Sequence, residues 1–255
     1  MKVTFLGTGT SQGVPIIGCK CTVCTSENAA DKRLRSSIMI EADQKRFVID
    51  TGPDFRQQML REKVDGITAV IFTHEHRDHV AGLDDIRAFN FIQKKKVDLY
   101  ANERTQNAIK DQFGYIFKEK KYPGIPEVTL HTIGTQPFSI EGVEFIPIVV
   151  KHMHLDVLGF RVGNFTYITD ANFISEEEKK KIHGSEFLVL NALRKEPHPS
   201  HFTFDEAIQL AQELKCKTTY FTHISHQLGL HNEVEKELPV NIRLAFDGLT
   251  IHMNE

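Results

Sequence analysis

The feature that most constrains this chain is the run His74-Glu-His-Arg-Asp-His79, which follows directly on the apolar stretch Ala69 to Phe72. A short apolar, β-branched segment reads as a buried strand, so four metal-type donors arrive together at a strand's carboxyl end. Such a cluster is useful only in a sheet whose strand ends open onto a common rim, and other strand-like segments end in the same way. Asp50 closes Phe47-Val-Ile-Asp, His152 follows Phe145 to Val150, Asp170 closes Tyr167-Ile-Thr-Asp and His223 closes Phe221-Thr-His, with Asp247 a weaker instance. Helical periodicity over 54–62, 82–91, 103–113 and 203–214 alternates with these strands, and Phe55, Met59 and Leu60 are expected on one buried side of the first helix. Ser175-Glu-Glu-Glu178 reads as a capping box opening a short charged helix. Strands alternating with helices place the chain in the α/β class.

Composition narrows the function. With 255 residues, 40% of them hydrophobic, the chain can bury a sizeable core, and it shows no internal repeat or Pro/Gly/Ser-rich linker. A single domain over 1–255 is expected. Lys and Arg number 31 against 34 Asp and Glu, for a net charge of -3, which excludes a wholly electrostatic binder of nucleic acid or anionic lipid. No apolar run reaches the roughly 18 residues of a membrane span. Met1-Lys2 leads into the strand-like Val-Thr-Phe-Leu rather than a signal peptide, so a soluble cytoplasmic protein is expected. The loop from Phe117 to Pro126 is basic but short and reads as a lid or arm.

The histidine run carries the chemistry. Alternate residues of an extended segment point the same way, so His74 and His76 can share one ion while Asp78 and His79, after a turn, face a second. Imidazole with carboxylate suits Zn, Mn or Fe. The chain has neither a phosphate-cradling G-x-x-x-x-G-K-[ST] nor a G-x-S-x-G nucleophile elbow, so hydrolysis by metal-activated water is the default.

The pattern H-x-H-x-D-H after a buried strand resembles the defining motif of the metallo-β-lactamase superfamily. That resemblance implies a four-layer αββα sandwich with two divalent ions, Zn or Mn. It further implies that His74, His76 and His152 bind the first ion, that Asp78, His79 and His223 bind the second, and that Asp170 bridges them. Asp50 then orients the histidine loop rather than ligating. His154, on the same face as His152 in an extended segment, is the alternative third histidine.

Cys19-Lys-Cys-Thr-Val-Cys24 is a C-x-C-x2-C cluster, whereas Cys216 stands apart. Three crowded thiols need a fourth ligand, and a structural Cys3His zinc with His226 would pin the loop at about 11–27. Together with the opening Gly7-Thr-Gly-Thr-Ser-Gln-Gly-Val-Pro15, this resembles the phosphodiesterases of the bacterial carbon–phosphorus lyase pathway and, more distantly, the tRNA 3′-processing endonucleases. By that resemblance His201, in His198-Pro-Ser-His201, protonates the leaving oxygen or stabilises the charged phosphorane, with His198 as the alternative. The expected function is hydrolysis of a small cyclic or nucleotide-derived phosphodiester by metal-bound hydroxide. The alternatives are a tRNA-type endoribonuclease and a thioester or lactone hydrolase on the same fold. No membrane partner is expected, nucleic acid is not favoured, and a homodimer stays open.

Overall fold

The computed structural model describes residues 1–118 and 123–253, so part of the loop read as a lid or arm lies outside the described residues. Contacts divide the chain into two compact units. One comprises Met1–Leu6, Ser37–Gly134 and Thr250–Glu255, and the other comprises Gly7–Ser36 and Thr135–Leu249.

The first unit is built on a seven-stranded sheet. Its strands are β1 (Lys2–Gly7), β2 (Ser37–Ala42), β3 (Lys45–Ile49), β4 (Ala69–Ile71), β5 (Val97–Ala101) and β6 (Val128–Thr132), with the strand Thr250–His252 antiparallel to β1 at one edge. β2 and β3 form the expected hairpin, and β3, β4, β5 and β6 run parallel. All of Phe47, Val48 and Ile49 are buried, as in a sheet covered on both faces. Helices Phe55–Arg61, Arg87–Gln93 and Glu103–Gln112 set Phe55, Met59, Phe89 and Ile109 into one core with Met39, Val48, Val70 and Leu99. Leu60 is 61% exposed, against expectation. Phe55 and Met59 are four residues apart and share a helical face, whereas the next position turns away from it. The helix expected over 82–91 begins as a tight 3-10 turn, Leu83–Ile86, because Gly82 approaches another backbone. A Cβ there would lie 2.1 Å from the Gly52 carbonyl oxygen.

The second unit has an eight-stranded sheet. Its strands are β7 (Phe138–Ile140), β8 (Val143–His152), β9 (Leu155–Val162), β10 (Phe165–Tyr167), β11 (Phe173–Ile174), β12 (Phe187–Asn191), β13 (Thr218–Thr222) and β14 (Ile242–Leu244). β10, β12, β13 and β14 are mutually parallel, and β8 joins their direction because it is antiparallel to β9, itself antiparallel to β10. Helices Glu176–Ile182 and Phe204–Leu214 bury Ile182, Phe204, Leu210 and Leu214 among Leu188, Leu190 and Phe221. The box at Ser175 forms only by half. Ser175 accepts from the Glu178 N–H, but the Glu178 carboxylate accepts from Val149 N–H at 2.7 Å instead of returning to the cap. Thr203 and Glu206 make the complete reciprocal box.

Candidate metal centre

Each unit gathers its donors where parallel strands end. In the first unit, Asp50 follows β3 and His74 follows β4, two parallel neighbours, so both land on one edge. Asp50 is fully buried and takes a left-handed backbone, φ 66°, which turns its carboxylate back over the strand ends. It accepts from Thr73 N–H at 2.8 Å, from the Thr73 hydroxyl at 2.7 Å and from His79 Nδ1–H at 2.7 Å. Since the Thr73 hydroxyl spends its hydrogen on Asp50, it accepts from His74 Nδ1–H at 2.9 Å. One carboxylate therefore fixes two histidines in the tautomer that leaves Nε2 as a metal-ready lone pair. Burial pushes the Asp50 carboxyl above its ordinary pKa, against the pull of His79.

The rest of the loop lies close by. The His74 ring is 4.6 Å from that of His76 and 4.2 Å from that of His79, and an Asp78 carboxylate oxygen is 3.3 Å from His79 Nε2. His74 and His79 are buried, whereas His76 is exposed. Glu75, between the two histidines, is gripped by the start of helix Glu103–Gln112 through Arg104 Nε at 2.8 Å and Thr105 Oγ1 at 3.3 Å.

In the second unit, His152 ends β8, Asp170 follows β10 and His223 follows β13, three strands of one direction. Asp170 and His223 share the left-handed backbone of Asp50, at φ 53° and 56°. His223 Nδ1 lies 3.0 Å from Asp170 Oδ1, and the Asn191 amide clasps the Asp170 turn by pairing with the Ala171 N–H and carbonyl. His152 Nδ1–H donates to the Ser200 carbonyl at 2.7 Å, which again leaves Nε2 for a ligand. Its rival is turned away. β8 and β9 meet in a two-residue turn at Met153 and His154, Met153 takes φ 59°, and His154 is exposed at the tip while His152 is buried.

His201 belongs to this group. Its ring stacks on His223 at 4.6 Å and lies 4.5 Å from that of His152, and one donor atom each of His152, Asp170 and His201 fall within 4.8 Å of one another. It is 7% exposed, and its Nδ1 has no hydrogen-bond partner among the described residues. Burial, then the nearby His223, hold its pKa down to about 2. His198, 5.0 Å away, is half-buried, and its Nδ1 accepts from Ser200 N–H. Asp247 has a bracing part instead, accepting from Thr8 Oγ1 and Leu34 N–H to hold the glycine-rich loop.

The cysteine cluster lies wholly in the second unit. Cys19, Cys21 and Cys24 place their sulfurs 3.5, 3.3 and 3.6 Å from His226 Nδ1. Tetrahedral zinc bonds of about 2.3 Å to sulfur and 2.0 Å to nitrogen separate the ligand atoms by roughly 3.5 Å, so the four donors fit such an ion. Cys216 is buried apart from them. Thr73, Asn191, Ser200 and the Glu75–Arg104 pair carry no motif in the sequence; the only hint is a polar residue closing the apolar strand Phe187-Leu-Val-Leu-Asn191.

A family model described as a beta-lactamase superfamily domain matches residues 45–224. The crystal structure of a new diphosphatase from the PhnP family is 42% identical, with a TM-score of 0.93, covering 99% of this chain and 98% of that one. The octanoyltransferase of Porphyromonas gingivalis is 38% identical over 258 residues, which is 100% of this chain and 52% of that protein. This chain thus spans about half the length of that relative. Human tRNase Z, short form, is 19% identical with a TM-score of 0.70 over 100% of both chains, a likeness of fold.

Proposed function

The chain belongs to the β-lactamase superfamily and has the metallo-β-lactamase fold, and from that premise we propose that it is a dinuclear metal-dependent phosphodiesterase acting on a small phosphodiester. His201 carries this reading: a buried imidazole stacked on a ligand-type histidine serves a phosphoryl leaving group, whereas thioester and lactone hydrolysis do not require it. The 42% identity with a PhnP-family diphosphatase supports the same choice.

His74, His76 and His152 would hold one divalent ion, Asp78, His79 and His223 the other, and Asp170 both. When bound, such ions supply Lewis-acid chemistry, lowering the pKa of a water and offsetting charge on the phosphoryl oxygens. Asp50 keeps His74 and His79 in the ligating tautomer, and the Ser200 carbonyl does so for His152. His201 is positioned to donate an N–H to the leaving oxygen as negative charge develops there. Cys19, Cys21, Cys24 and His226 would hold a structural zinc. Zinc and manganese both suit the mixed donor set of the dinuclear centre. No helix among the described residues is long and apolar enough to cross a membrane.

The test is turnover of bis(4-nitrophenyl) phosphate by protein reconstituted with Mn or Zn, with Asp78→Ala as the blank. Metal-dependent turnover absent from the variant is expected. No turnover with the ions bound would move the assignment to thioesters, lactones or an RNA diester.

A further inference from the structure

The loop from Arg194 to Phe202 carries His201, and its backbone is laced to the segments that hold ligand-type residues. Its base is closed by Leu193 N–H on the Phe202 carbonyl at 3.1 Å and Phe204 N–H on the Arg194 carbonyl at 2.9 Å. Near its tip, the Ser200 carbonyl accepts from His152 Nδ1–H at 2.7 Å and the Pro199 carbonyl from Asn172 Nδ2–H at 3.2 Å. Phe202 N–H in turn donates to the Ala171 carbonyl at 2.7 Å. His201 lies inside this lacing, yet its ring is not tied as that of His79 is by Asp50. With no hydrogen-bond partner on Nδ1 among the described residues, the ring is placed by its backbone and by packing against His152, His198 and His223.

Asn172 has two arms in this lacing. It stands two residues past Asp170, and its own N–H donates to the Lys151 carbonyl at 2.8 Å beside the pairing of β11 with β8. Its Oδ1 accepts from Met153 N–H at 2.8 Å while Nδ2 serves Pro199. A backbone N–H only donates and a carbonyl only accepts, so the two partners fix which way the amide points. Met153 follows His152 directly and holds the left-handed φ of 59°, which persists where its surroundings over-determine it. One arm thus holds the turn that ends the His152 strand, and the other holds the loop that carries His201. The two demands are of opposite polarity, which an amide meets and a carboxylate does not.

We propose that Asn172 is a positioning residue for His201, setting the loop of that histidine against the turn that carries His152 so that the N–H donor meets the leaving oxygen. This deepens the phosphodiesterase reading and rests on it for the part His201 plays. The Asn172 amide is spent on Met153 and Pro199 and acts through the backbone of the loop. Its loss therefore falls on the step that needs the His201 proton, and a donor displaced by a fraction of an ångström costs about tenfold in rate.

The test uses zinc-loaded protein at saturating metal, with Asn172→Asp and Asn172→Ala. Aspartate keeps an oxygen for Met153 N–H and turns its other oxygen on the Pro199 carbonyl, which repels it; alanine removes both arms and adds no charge. Both variants are expected to slow a diester with an alkoxide leaving group about tenfold, and bis(4-nitrophenyl) phosphate less than about twofold. In a His201→Ala background neither should slow the alkoxide diester further. Hydrogen exchange of the Phe202 amide, followed by NMR without substrate, should quicken about tenfold in both. Equal slowing of the two diesters, or slowing that adds to that of His201→Ala, marks a general brace and overturns the proposal. Slowing by Asn172→Ala without Asn172→Asp overturns it too, because the loss then belongs to the Met153 turn, and so does an unchanged Phe202 exchange rate. Quickened Phe202 exchange in variants of a protein that turns over no diester keeps Asn172 as the anchor of the His201 loop and removes the phosphodiesterase reading.

Discussion

Asp50→Asn isolates the work of one buried carboxylate. Asp50 is 0% exposed and accepts three hydrogen bonds of 2.7 to 2.8 Å, from Thr73 N–H, Thr73 Oγ1 and His79 Nδ1. Asparagine keeps the shape but changes one oxygen into an NH2 donor. Its oxygen can still accept from Thr73 N–H, so the backbone bond survives. The amide nitrogen then faces Thr73 Oγ1 and His79 Nδ1, and the polarity of the chain reverses: both must accept, and Thr73 gives its hydrogen to His74 Nδ1. His74 and His79 are driven into the tautomer with the proton on Nε2, the atom needed for a metal. Loss of such an outer partner costs about 10- to 100-fold in metal affinity, and two histidines turned by one substitution place the effect at the upper end, about 100-fold. The cost to the fold is smaller, about 1–3 kcal/mol for a rearranged buried network. Chelator competition measures the first quantity and thermal unfolding in excess chelator the second. Wild-type metal affinity in a folded Asp50→Asn protein would refute the tautomer argument.

Three further outcomes follow from named contacts. His201→Ala should slow diesters with alkoxide leaving groups at least about 100-fold and nitrophenyl diesters far less, since nitrophenolate needs no proton; equal slowing in steady-state kinetics counts against its part at the leaving oxygen. Cys24→Ser should lose one zinc per chain by elemental analysis and lower Tm, and unchanged metal content removes the structural zinc. Gly82→Ala should lower Tm by about 10 °C, from an overpacking cost of about 3 kcal/mol at the Gly52 carbonyl, whereas an unchanged melting curve would show that this approach is relaxed in solution.

The ligand-type residues are legible in the sequence because most close an apolar strand, where a polar residue has little structural reason to be, and His76, Asp78 and His79 crowd directly after His74. His74, Asp170 and His223 all follow this rule, and the structure places them at ends of strands running in one direction within their own units. The residues that orient them are not legible. Thr73, Asn191 and Ser200 act through a hydroxyl, an amide and a backbone carbonyl, and these groups are common on any loop. Periodicity also misled where chain geometry is tight. His152 and His154 share a face only in an extended strand, and the turn at Met153 separates them. Ser175 carries the spacing of a capping box, but Glu178 meets a stronger claim from Val149 N–H, which only the β8 pairing brings near.

A common backbone device underlies the site residues. Asp50, Asp170 and His223 adopt φ between 53° and 66°, a region costing non-glycine residues about 1 kcal/mol or more and favoured at functional positions. At a strand end this conformation reverses the chain at once, so the side chain bends over the edge of the sheet rather than continuing outward. Glycine would relieve the strain but carries no ligand. In the first unit the strain is answered by three hydrogen bonds on Asp50. In the second unit Asn191 answers it at Asp170 with two bonds to Ala171, and at His223 the chain is locked by Ile224 N–H donating to Thr8 O and Thr10 N–H to Ile224 O. The glycine-rich loop therefore serves the second unit as a clamp on the His223 turn. Gly9 is required there because a Cβ would lie 2.8 Å from the Arg33 carbonyl oxygen, and that close approach is what lets the loop bridge to Ile224.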